Sequence, residues 1–152
     1  MKSLIVYGSR HHGNTRKVAE YLAKRQKIDL VDAEAVKDID YEMYDLIGFA
    51  SGLDFGKFYP SVTELALKLP RGKKVYALYT CAKDAQKYGL QIAEIARKCD
   101  CQWLGKYGCK GWNTYGPWKL IGGMNKNHPS AEELVAAEQF YLDVLQQAEK
   151  ER

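Results

Sequence analysis

The strongest constraint on how this chain folds is an abrupt change of hydrophobic period, repeated several times. Residues 3–7, SLIVY, are apolar almost without interruption, as in a strand covered on both faces. From Asn14 the spacing becomes helical: Val18, Tyr21 and Leu22 share a face with Ala19, while Arg16, Lys17, Lys24 and Arg25 lie outside it. The switch recurs along the chain. Further strands are expected over 27–33, 44–51, 73–80 and 102–111, and helices over 61–69, 85–99 and 130–149. Ser130 and Glu133 form the capping box of the last helix. Buried strands alternating with helices imply parallel strands joined by right-handed crossovers, with helices on both faces. At 152 residues this is one α/β domain, 1–152, a doubly wound five-stranded parallel sheet of order 2-1-3-4-5. Ligands of such sheets bind beyond the carboxyl ends of the strands, at the switch point. The loops GSRHHGN, SGLDFGKFY and TCAKDAQKYG are therefore the expected site.

The first of these loops carries chemistry. Gly8 to Thr15, GSRHHGNT, has the spacing of a triphosphate P-loop, but Asn14 occupies the lysine position. Nor does the strand ending GFAS carry a magnesium-binding aspartate, so triphosphate hydrolysis is not expected. A monophosphate needs only backbone N–H groups, a helix N-terminus and a few hydroxyls. Ser9, Asn14 and Thr15 can donate, Gly13 permits close backbone approach, and Arg10, His11 and His12 can add charge. The alternative is that Ser9 and Thr15 only cap the helix. Other phosphate chemistries on similar folds are excluded by residues. No cysteine follows the first strand for a phosphotyrosine-phosphatase loop, no paired acids suit a receiver domain, and GSRHHG lacks the second glycine of a dinucleotide loop.

The segment LIVYGSRHHGNTRKVAEYLA resembles the phosphate-loop signature of the flavodoxin family. ASGLDFGKFYPSV and GCKGWNTYGPWKLIGGMNKNHPSAEEL are similar to a prokaryotic flavodoxin-like subgroup, so the resemblance spans essentially the whole chain. The resemblance implies FMN binding and electron transfer between redox proteins. It implies that Ser9, Arg10, His11, His12, Gly13, Asn14 and Thr15 hold the phosphate. Ser51, Gly52, Leu53, Asp54, Phe55, Gly56 and Lys57 would run along the isoalloxazine, and Thr80, Cys81 and Ala82 would close its other side. Of Phe55, Phe58 and Tyr59, one or two are expected against the flavin and the rest against the next helix. Trp112, Tyr115 and Trp118 cover the flavin, line a substrate pocket, dock a partner, or simply form a cluster beneath a long loop. The rival function is an FMN-dependent NAD(P)H:quinone or small-molecule reductase. No general acid or base is assignable from the sequence, and a small single domain with no extra insertion favours a carrier over an enzyme with its own substrate.

Charge refines the partner. The net charge is +4, and between Arg71 and Lys126 eleven Lys/Arg face three acids. Lysines such as Lys57 and Lys83 beside a flavin would stabilise its anionic reduced form. A basic surface also suits an acidic redox partner. No nucleic-acid signature accompanies the charge. No apolar run approaches the roughly 18–20 residues of a membrane span. The start MKSLIVYGSR is too short and too soon polar for a leader, so a cytoplasmic monomer or weak homodimer is expected. The four cysteines and three histidines show no metal-ligand spacing. Cys81 is expected to be a small buried filler rather than a reactive thiol, and His128 to lie on the surface.

Overall fold

In a computed structural model, which describes residues 1–114 and 116–151 (for Gly116 and Trp118 the backbone only), five parallel strands form the sheet. They are β1 (Ser3–Gly8), β2 (Ile28–Asp32), β3 (Leu46–Asp54), β5 (Lys74–Cys81) and β6 (Gln102–Lys110), in the order β2-β1-β3-β5-β6. This is the expected doubly wound order, with one addition. A two-residue strand β4 (Lys57–Phe58) pairs antiparallel with the end of β3.

Both faces of the sheet are covered, which explains the unbroken apolar runs. Helices α1 (Asn14–Arg25) and α4 (Ala131–Lys150) cover Ile5, Tyr7, Leu46, Ala50, Tyr76 and Leu78. Helices α2 (Pro60–Ala66) and α3 (Leu90–Lys98) cover Leu4, Val6, Ile47, Phe49, Val75 and Ala77. Alternate residues of each strand thus enter opposite cores. The capping box of α4 forms as expected: Glu133 N–H donates to Ser130 Oγ at 3.2 Å, and Ser130 N–H donates to Glu133 Oε1 at 3.2 Å.

Three departures from the sequence expectation bear on the site. β3 runs on through Gly52 and Leu53 to Asp54, so half of the expected second loop is strand. It continues because Asp54 and Lys57 close a tight hairpin through Phe55 and Gly56, both at positive φ, as a two-residue turn of this kind demands. The expected helix over 85–99 begins only at Leu90. Residues 84–88 are held out of it: Asp84 Oδ1 accepts from the Tyr79 hydroxyl at 2.6 Å and from Ala85 N–H at 2.7 Å, and the Lys106 ammonium donates to the carbonyls of Gln86 and Tyr88. α2 spans seven residues, set by Pro60 at its first turn.

Candidate functional site

β1, β3 and β5 are adjacent and parallel, so their carboxyl ends meet at one edge of the sheet. The chain leaves β1 toward β2 and returns on the other side to β3, which makes this edge the switch point. A cleft of about 380 Å³ opens there, within the size range of cofactor sites.

Its first wall is the β1–α1 loop. Ser9, Arg10, His11, Asn14 and Thr15 line the cleft. His12 and Gly13 take successive left-handed conformations, φ 54° and 65°, and turn the chain into α1. No side chain caps α1, and its first turn holds no acid. The capping alternative raised for Ser9 and Thr15 is therefore not what the loop does. The start of α1 borders the cleft through Asn14 and Thr15, and an uncapped helix N-terminus is a favourable place for an anion. Thr15 is buried, and its Oγ1 shares a hydrogen bond of 2.9 Å with Thr80 Oγ1, which joins this loop to the end of β5.

Arg10 does not stand free. Its guanidinium pairs with Glu34 at 2.9 Å and Asp54 at 3.6 Å, and lies 4.3 Å from the centre of the Tyr59 ring. With the Ser61 hydroxyl, Arg10 holds the Glu34 carboxyl below its ordinary value. Arg10 thus ties the first loop to the hairpin of the second.

The second wall is that hairpin: Gly52, Leu53, Asp54, Phe55 and Gly56. Gly52 is required by close approach, since a Cβ there would lie 2.4 Å from the Tyr59 hydroxyl. Phe55 is 96% exposed on a left-handed backbone, an unusual place for a bulky side chain and one associated with function. Ser51 points away from the cleft. It is fully buried, donates to Gly52 O at 2.5 Å and accepts from Tyr59 N–H at 2.9 Å. Lys57 also lies off the cleft wall, and Phe58 is core, its ring 6.4 Å from that of Tyr79.

The third wall is Thr80, Cys81, Ala82 and Lys83. Cys81 Sγ donates to Cys109 O at 3.6 Å, and burial pushes its thiol up to about 12. Such a thiol stays protonated at neutral pH and is a filler, not a nucleophile. His128 is half-buried rather than a plain surface residue, because its Nδ1 pairs with Glu133 Oε1.

A fourth wall was only one of several options in the sequence. Gly111, Trp112 and Asn113, just after β6, line the cleft, together with Tyr59 and Tyr88. Of the aromatics singled out in this segment, Tyr115 and the Trp118 side chain lie outside the described residues. Trp112 was legible as an aromatic leaving the carboxyl end of a strand. Tyr88 falls within the expected third loop, TCAKDAQKYG, but nothing in the sequence singled it out from its neighbours.

Among the described residues no cluster of histidine, cysteine or carboxylate is arranged for a metal, and no helix is long and apolar enough to cross a membrane.

A cleft at the switch point, walled by a glycine-turned loop, an uncapped helix and a hairpin with an exposed aromatic, lies where doubly wound α/β sheets bind their ligands. Residues 4–89 match the flavodoxin domain family, so the chain belongs to that family. It is 36% identical over 148 residues, 95% of this chain and 99% of the relative, to an uncharacterized protein of Methanocaldococcus jannaschii. Among solved structures it is similar to a flavodoxin from the domain Archaea (17% identity, 98% of this chain and 99% of that one, TM-score 0.65). It is also similar to oxidised flavodoxin 2 of Bacillus cereus (13% identity, 95% and 99% covered, TM-score 0.63).

Proposed function

We propose that the cleft binds FMN and that the protein carries electrons between redox proteins. The observation that carries this reading is the division of the cleft into two ends. One is polar and suits a phosphate: the uncapped start of α1 with Ser9 and the buried Thr15. The other is partly apolar and suits a ring system: Gly52 to Gly56, Thr80 to Ala82, and Trp112 line it. When bound, FMN accepts and releases electrons one or two at a time.

The residues of this chain do the rest. The Thr15–Thr80 pair fixes the distance between the phosphate end and the ring end. Arg10 is already paired with two carboxylates, so it orients the first and second loops more than it adds net charge. Lys83 contributes charge at the ring end and forms no ion pair among the described residues. Cys81, held as a neutral thiol, adds none. Positive charge there favours the reduced, anionic flavin and makes the carrier a milder reductant. Lys57, Lys119 and Lys126 likewise form no ion pair among the described residues, and they suit an acidic partner protein.

The test is a titration of the full chain with FMN, followed by quenching of flavin fluorescence, with riboflavin alongside. Saturable FMN binding with much weaker riboflavin binding is expected. Equal affinities would refute a phosphate site, and no binding to folded protein would remove the cofactor assignment. Rapid oxidation of NADH or NADPH by the FMN-loaded protein would favour the reductase over the carrier.

A further inference from the structure

Residues 111–114 and 116–126, nearly all of which look irregular in sequence, form an arm fastened to the first loop by side chains of that loop. The Asn14 carboxamide reads the Trp112 backbone in both senses. Its Nδ2 donates to Trp112 O at 2.9 Å, and Trp112 N–H donates to its Oδ1 at 3.2 Å. The Gly111 backbone lies so close to the Asn14 side chain that a Cβ on Gly111 would lie 2.6 Å from Asn14 Nδ2. His12 stacks on the Trp112 indole, with ring centroids 3.6 Å apart and planes 22° from parallel. Its Nε2 lies 3.0 Å from Thr114 Oγ1.

The arm then closes on itself and on the third loop. Asn113 and Met124 exchange two backbone hydrogen bonds, 2.8 and 2.6 Å. Trp112 Nε1 donates to Gly122 O at 3.0 Å, and Asn125 Nδ2 donates to Ala82 O at 2.8 Å. The fourth wall of the cleft is thus built on the loop that faces the phosphate end. Asn14, which stands where a triphosphate P-loop has its lysine, is occupied in holding that wall.

We propose that Asn14 and His12 are positioning residues that clasp the 111–126 arm to the first loop, so that a phosphate settling in that loop and the arm closing on the cleft are one coupled event. The inference rests on the FMN reading above. A phosphate that fixes the first loop holds the Asn14 carboxamide and the His12 ring where the arm needs them. The docked arm in turn holds the loop in the geometry a phosphate needs. Linkage makes this preference reciprocal. Riboflavin has no phosphate, so it engages the ring end and leaves the clasp unaided.

Amide hydrogen exchange read by mass spectrometry on the full chain tests this, in free, FMN-loaded and riboflavin-loaded protein. Two variants attack the clasp from opposite sides. Asn14→Ala removes both hydrogen bonds at a position where alanine suits the helix. Gly111→Ala leaves Asn14 intact and wedges the arm away. In the wild type, FMN should slow exchange across 112–126 by about tenfold more than riboflavin does, the equivalent of one to two net hydrogen bonds. Each variant should speed arm exchange in the free protein, leave the sheet amides unchanged, and lose the FMN-specific slowing. FMN affinity should fall toward that of riboflavin. FMN slowing the arm equally in wild type and both variants, at unchanged affinity, overturns the proposal. If folded wild type binds neither flavin, the cofactor reading fails and the coupling fails with it. Faster arm exchange in the free variants would then leave the clasp standing as a structural tie alone.

Discussion

Replacing Thr15 by valine removes one oxygen and preserves the shape of the side chain. That oxygen lies 2.9 Å from Thr80 Oγ1, and the two residues are 2% and 6% exposed, so water is a poor substitute partner for either. A buried hydrogen bond of this kind has a net worth of about 0.5–1.5 kcal/mol, and stranding its surviving partner raises the loss to about 1–3 kcal/mol. Thr15→Val and Thr80→Val should therefore each lower the unfolding free energy by about 2 kcal/mol. With both hydroxyls gone nothing is stranded, so the double variant should fall well short of the sum of the singles. Urea denaturation of the four proteins measures this cycle.

Thr15 also borders the cleft. A hydroxyl has one proton and two acceptor sites. If Thr80 donates to Thr15, the Thr15 proton is left for a ligand phosphate. A hydrogen bond to a charged group is worth about 1.5–3 kcal/mol, so Thr15→Val should weaken FMN by about 10- to 100-fold. Riboflavin should change by less than about threefold, because it lacks the group concerned. Additive stability losses would refute the pairing, and equal losses for the two flavins would refute a phosphate at Thr15.

Three other perturbations follow from the same structure. Tyr76 is fully buried and its hydroxyl has no hydrogen-bond partner among the described residues, so Tyr76→Phe should stabilise the fold by about 1 kcal/mol and raise Tm by about 2–4 °C; a lower Tm in calorimetry would show that the hydroxyl is satisfied. Burial pushes the Cys81 and Cys109 thiols up to about 12, so iodoacetamide at pH 8 should label Cys99 before either, and equal labelling in a mass map would contradict the packing around them. Burial works to raise the Glu133 pKa, but the His128 contact and the N–H groups of Lys110 and Ser130 outweigh it and hold the carboxyl below 4.5. Its stabilising effect is therefore complete above that value and is lost as pH falls through the lower folded value. Glu133→Gln should flatten the acid limb of a stability–pH profile below pH 4.5, and an unchanged limb would remove Glu133 as its source.

Much of this was written locally. Each apolar run and each helical stripe announces an element and the faces it must bury, and the strict alternation of the two leaves little freedom in topology. Sheet order, covered faces and the α4 capping box were therefore legible before any coordinates. So were the three loops at the carboxyl ends of β1, β3 and β5, because the doubly wound order alone brings those ends together. Residue types in the first loop set the expectation of a monophosphate rather than a triphosphate, which the comparison of FMN with riboflavin tests.

What the tertiary structure decided is how each polar side chain is spent. Ser51 is expected along the flavin ring, but its hydroxyl is consumed by Tyr59 N–H and Gly52 O inside the strand end. Arg10 reads as a free cation but is claimed by Glu34 and Asp54. Asn14 reads as a phosphate donor, yet its carboxamide is held by Trp112, 98 residues away in sequence. Hydrophobic period encodes which face of an element is buried, and a few neighbouring residues suffice to state it. A hydrogen bond between distant loops depends on sheet register and on where each strand ends, neither of which any local segment contains.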